Sequence, residues 1–161
     1  MISSGLIFLN SFLFKVREDS ADLVAHHAGI GIGLVTALRG ARFRLARGEC
    51  AIPKDLIPKF PYYKFNLDDP KKELTKEESD MLAESVFHMV QTASSHLSKA
   101  RELQSDVPKH ARPCFLPVVP ALHHLSKLEK ANYDIFDDSL LEHENLTGLA
   151  LLGRTWLTGV F

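Results

Sequence analysis

Residues 36–53, TALRGARFRLARGECAIP, hold four arginines, Arg39, Arg42, Arg44 and Arg47, with no acid before Glu49. Guanidinium groups at this density can do two kinds of work. Their planar fork pairs with phosphate, diphosphate or carboxylate through parallel hydrogen bonds. Near the end of a helix they also complement the negative pole of the backbone dipole, with no ligand involved. Four arginines without an intervening acid exceed what a helix end requires. Arg39, Arg42, Arg44 and Arg47 are therefore the candidate contacts to an anion or to an acidic partner surface.

Just upstream, Ala21, Ala25, Gly29, Gly33 and Ala37 recur every four residues, a stripe of small side chains down one helix face. A glycine inside a helix costs about 1 kcal/mol relative to alanine, so two of them on one face imply a packing reason. Ala25, Gly29, Gly33 and Ala37 fit either a tight helix–helix contact or one wall of an apolar cavity. The run GIGIGL lacks the third glycine and the strand–helix setting of a dinucleotide loop. GxSxG, HExxH and GxxxxGK[ST] are absent.

Other groups that could hold a metal do not assemble by spacing. His26–His27 and His123–His124 are adjacent on helices, where neighbouring side chains diverge by about 100°. His88 and His96 have Thr92 at the turn between them and read as surface or partly buried residues. Asp134 and Asp138, within NYDIFDDSL, suit turn or cap positions. Cys50 and Cys114 are far apart with no CxxC spacing and read as packing thiols in a reducing compartment. No metal or cofactor is expected.

The elements that must position these residues are helical. Thr75 and Glu78 form a capping box. After it, Leu82, Val86, Met89, Val90, Ala93, Leu97, Ala100 and Leu103 follow helical spacing to about residue 104. Further helices are expected at 3–14, 19–39, 114–131 and 146–157. The stretch 53–72 contains four prolines and reads as irregular, with the connecting loop placed at 58–75. Strand-like alternation is absent, so the expected fold is all-α. The 161 residues form a single domain, 1–161. A net charge of −1 argues against a dedicated nucleic-acid binder. No apolar run reaches the roughly 18–20 residues that a spanning helix needs. The apolar start, MISSGLIFLNSFLF, lacks the basic flank and cleavage site of a secretory signal and the arginines of a transit peptide.

The segment GLVTALRGARFRLARGECAIPKDLI resembles the second signature of the squalene/phytoene synthase family. In that pattern a helix ends in Asn-(Ile/Val)-Leu-Arg-Asp, a second Asp follows after three residues, and a basic stretch leads to Gly-Arg and Leu-Pro. Arg39, Gly48 and Pro53 match in register. The two Asp positions are Gly40 and Arg44, and the preceding Gln and Asn positions are Gly33 and Thr36. In the synthases those aspartates hold Mg²⁺, which binds prenyl diphosphate. A hard dication needs oxygen ligands, which Gly40 and Arg44 do not supply.

A non-catalytic branch of the superfamily is the nearer resemblance, the mitochondrial complex I assembly factors with a phytoene synthase-like domain. It runs through HHAGIGIGLVTALRG, HLSKAREL, VPKHARPCFLPVVPALHHLSKLEKANYDIF and the last helix around Trp156, most of 3–158. This resemblance implies an isoprenoid-synthase-like helical fold, of which the chain corresponds to the C-terminal half. It also implies a pseudoenzyme on the matrix side of the inner membrane, whose partners are complex I subunits or other assembly factors. Peripheral membrane contact and an isoprenoid or lipid ligand fit the same resemblance. The alternatives are a prenyl diphosphate transferase fragment and an isoprenoid- or lipid-binding module.

Overall fold

The computed structural model describes residues 19–49, 52, 74–141, 150 and 153. Among the described residues the α-helices with defined bounds are, in chain order, α1 Asp19–Leu45, α2 Lys76–Glu102 and α3 Val118–Lys130. Short 3₁₀ turns lie at Leu103–Asp106, Arg112–Phe115 and Asp138–Leu140. No strand occurs among the described residues, and the fold is all-α. The helix expected at 3–14, that at 146–157 apart from Ala150 and Gly153, which are helical, and the loop at 58–75 apart from Leu74 and Thr75 lie outside the described residues.

α2 begins as its sequence dictates. The Thr75 hydroxyl accepts the Glu78 amide at 3.2 Å, and the Glu78 carboxylate accepts the Thr75 amide at 2.8 Å. Two of the four amides left over at a helix start are thereby satisfied. Its apolar stripe, from Leu82 through Leu97 to Ala100, is buried, with Leu103 half-buried at the end.

α1 packs along α2, and its Val24, Ala28, Gly31, Val35 and Leu38 are buried at alternating four- and three-residue steps. That period keeps one seam facing a partner helix. A strict four-residue stripe instead drifts by about 40° per step. Ala25 and Gly29 accordingly lie buried, whereas Gly33 and Ala37 have rotated to the half-buried flank. Gly31 makes the close approach: a Cβ there would stand 2.5 Å from Leu97 Cγ and 3.2 Å from the Ala93 carbonyl oxygen.

α1 is also longer than the expected 19–39. Gly40 alone does not break it, because Ala41 and Leu45 bury against the core and hold the last turns. Against the expectation from run length, Ala21–Leu45 of α1 contains a stretch long and apolar enough to cross a bilayer by length and composition. Much of that apolar character faces α2 and α3.

α3 starts at Val118 rather than 114, since Arg112–Phe115 forms a 3₁₀ turn and Pro117 occupies the N-cap. Pro120 falls in the first turn, where amides have no intrahelical acceptor to lose. The helix closes on a Schellman motif: the Tyr133 amide donates to Leu128 O at 2.8 Å and the Asn132 amide to Glu129 O at 3.1 Å. Asn132 and Tyr133 adopt φ of 50° and 62°. Tyr133 stands edge-on to Phe87 with centroids 5.0 Å apart, tying this corner to α2. Among the described residues, Phe115 is the largest fully buried side chain.

Candidate functional site

The four arginines occupy the last turns of α1 and the cap that follows. The chain turns at Gly48, whose φ of 73° suits a residue without Cβ. The Glu49 amide donates to Arg44 O and the Gly48 amide to Leu45 O, each at 2.9 Å. These bonds satisfy carbonyls that the helix end leaves open. Gly48 is thus required by the backbone, independently of any ligand.

The arginines divide into two kinds. Arg42 points inward. Its guanidinium donates to Phe136 O at 3.3 Å and to Asp138 Oδ1 at 3.2 Å, with the side chain only 14% exposed. It fastens the end of α1 to the turn after α3. Arg39, Arg44 and Arg47 are exposed. No carboxylate among the described residues pairs with them. Spacing had grouped all four; the fold sets one to structural work and leaves three outward. Phe43 stands among those three, half exposed, a residue that the reading by charge passed over.

Gly40 and Arg44 lie one turn apart on one side of α1. Arg44 Nε is 3.8 Å from where a Gly40 Cβ would be, so the side chain folds back over the glycine. The position therefore offers no oxygen donor and carries a cation. A hard divalent ion does not fit these residues. Asp134 and Asp138 do not converge either: Asp134 Oδ1 accepts the Phe136 amide at 2.9 Å, and Asp138 meets Arg42. Asp137 caps the 3₁₀ turn by accepting the Ser139 amide at 2.8 Å. No group of three or more His, Cys, Asp or Glu suited to a metal occurs among the described residues.

One polar pair crosses the helix interface unannounced by spacing. His27 Nδ1 and His96 Nδ1 are 3.0 Å apart, linking α1 to α2. One ring must donate and the other accept, so they cannot both be protonated and keep the bond. Burial, then the neighbouring His96, His26 and Lys99, hold the His27 imidazole below its ordinary pKa. His88 is exposed. Cys114 is a free, buried thiol whose pKa burial pushes up, consistent with packing, while Cys50 lies outside the described residues.

The chain is similar to curated proteins named "NADH dehydrogenase (ubiquinone) complex I, assembly factor 6". The protein of Rattus norvegicus is 28% identical over 153 residues, covering 95% of this chain and 44% of the relative. That of Homo sapiens is 27% identical over 155 residues, with 95% and 44% covered. A homolog from Dictyostelium discoideum is 29% identical over 132 residues, covering 82% of this chain and 35% of its own. The chain thus spans less than half the length of these relatives. No solved structure matches it. The squalene/phytoene synthase pattern matches residues 3–147, well over half the chain, and the chain belongs to that family.

Proposed function

We propose that this chain is a non-catalytic binding component in the assembly of mitochondrial respiratory complex I, acting on the matrix side of the inner membrane. It forms one phytoene synthase-like helical domain over 1–161 and corresponds to the C-terminal half of the family domain. Its partners are complex I subunits or other assembly factors. The names of the relatives support the assembly role, and complex I itself supports the compartment. One observation carries the non-catalytic part. Where the family signature places two carboxylates, this chain has Gly40 and Arg44, with the guanidinium lying over the glycine. No residue there can hold the Mg²⁺ on which diphosphate chemistry depends in the synthases. The exposed Arg39, Arg44 and Arg47 serve as contacts to an anionic partner, and Arg42 fixes the platform that carries them. Ala25 and Gly29 serve close packing, with Gly33 and Ala37 on its flank.

The test is rescue. Cells lacking the gene receive the chain behind an added mitochondrial presequence, and complex I and its intermediates are resolved on native gels. Recovery of the mature complex by the chain is the expected result. Normal complex I without the gene overturns the assembly role. Mg²⁺-dependent turnover of a prenyl diphosphate by the purified protein overturns the non-catalytic reading and restores the transferase alternative.

A further inference from the structure

We propose that the exposed end of α1, with Phe43 set among Arg39, Arg44 and Arg47, is a docking surface for an acidic segment of another protein. The inference deepens the assembly reading above and rests on it.

Three observations converge there. Phe43 is 50% exposed although Ala41 and Leu45, two residues to either side, are buried. Arg39 lies one helical turn before it, Arg44 follows it directly, and Arg47 lies in the capping turn beyond. All three arginines are exposed and no carboxylate among the described residues neutralises them. The platform is held in place from behind. Arg42 is bonded to Phe136 O and Asp138, and the helix end is closed by the Gly48 cap. Little ordering is then left to do on binding, which favours affinity.

An aromatic anchor ringed by arginines is the composition that concentrates binding energy at protein interfaces. Charge complementarity specifies the other side: carboxylates facing the guanidiniums and an apolar recess for the ring. A bilayer surface fits less well. A helix lying in a membrane interface needs a broad apolar face, whereas around Phe43 the exposed positions of α1 are arginines, and Ala41 and Leu45 are buried. Phe43 is the large apolar side chain left exposed in these last turns.

The experiment uses the chain in rescued mitochondria, with a photoreactive phenylalanine at position 43 and crosslinks mapped by mass spectrometry. Expected are crosslinks to an Asp/Glu-rich segment of an identified complex I subunit or assembly factor. Their yield should fall about tenfold or more with Arg39→Glu/Arg47→Glu. It should fall also at about 1 M salt, where screening acts within about 3 Å. Phe43→Ala, tested with the photoreactive group moved to exposed Thr36, should lose a similar factor. Thr36→Ala, a neighbouring change without charge or ring, should leave the native yield intact.

Crosslinks confined to lipid overturn the proposal. So does flotation of the purified chain with cardiolipin-containing phosphatidylcholine vesicles, but not with phosphatidylcholine alone, if it is lost in the same variants while protein crosslinks persist. Crosslinks only to a second copy, or yields unmoved by charge reversal, overturn it equally. Native gels separate the two readings. If the unaltered chain restores complex I and the Phe43 and arginine variants do so too, the docking surface fails and the assembly role stands. If the unaltered chain restores nothing, the assembly role fails, and an identified acidic crosslink lost on charge reversal still decides the surface.

Discussion

Replacing Gly31 by alanine tests how closely α1 and α2 are held. The new Cβ would stand 2.5 Å from Leu97 Cγ, 2.6 Å from Leu97 Cδ2 and 3.2 Å from the Ala93 carbonyl oxygen. Comfortable carbon–carbon contact begins near about 3.5 Å, so Leu97 must leave its rotamer or the helices must part by about an ångström. Leu97 is fully buried, at 0% exposure, and its seam neighbours Ala93 and Ala100 are equally enclosed. It has nowhere to turn. Overpacking of this kind costs about 1–3 kcal/mol, against which alanine regains about 1 kcal/mol of helix propensity. The steric cost prevails, and Gly31→Ala should destabilise by about 1–2 kcal/mol. The assay is urea unfolding followed by far-ultraviolet circular dichroism, with the shift in midpoint read at unchanged slope. Leu97→Ala should itself cost about 2–5 kcal/mol by opening a cavity. Within that background the Cβ at position 31 meets no leucine, and Gly31→Ala should be neutral or stabilise by up to about 1 kcal/mol. The cycle then shows coupling of about 2 kcal/mol. A stabilised single variant, or the same change in both backgrounds, would refute the close approach.

Arg42→Ala should cost about 1–3 kcal/mol, because it removes a donor from the Phe136 carbonyl. Asp138→Ala should cost at most about 1 kcal/mol, since that carboxylate side chain is 90% exposed; equal losses in denaturant melts would assign the worth of Arg42 to the ion pair instead. Asn132→Ala should lower stability by about 1 kcal/mol while Asn132→Gly holds or raises it, because φ there is 50°; the reverse order in thermal melts would contradict a left-handed cap. His27 has a folded pKa below its ordinary 6.5, from burial and the cationic neighbours His96, His26 and Lys99. The unfolded chain therefore binds more protons between those two values, so stability is full above about pH 6.5 and declines as pH falls towards the folded value. His27→Gln should flatten that decline in melts across pH, and an NMR titration placing His27 at or above the ordinary value would sink the idea.

α2 was legible because every signal for it is local. The Thr75–Glu78 box, the apolar period and the charged ends all lie within one element, and burial followed the same stripe. α1 was only partly so. Gly40 reads as a stop by propensity, yet tertiary burial of Ala41 and Leu45 outweighs a cost of about 1 kcal/mol. Its small residues were visible, but their four-residue spacing pointed to Gly33, whereas the seam passes through Gly31. The contact at Gly31 depends on Leu97 of another helix. The same limit applies at the candidate site. Charge density marked the arginine segment, but the partners that draw Arg42 inward sit 94 and 96 residues away. The His27–His96 pair spans 69 residues. Spacing within a segment carries no information about such pairs, and an exposed Phe43 is recognised only once its neighbours are known to be buried.

The lie of Arg44 over Gly40 also bears on ancestry. Under the non-catalytic reading, regaining a metal-binding pair would require changes at both positions. Gly40→Asp alone would set a carboxylate one turn before Arg44, the order that favours an internal ion pair on a helix. The new acid would be neutralised by its neighbour rather than offered to a cation. Arg44→Asp alone would leave a single acid facing a bare glycine. Neither step taken first confers a diphosphate-metal site, so selection for that chemistry would have no intermediate to favour.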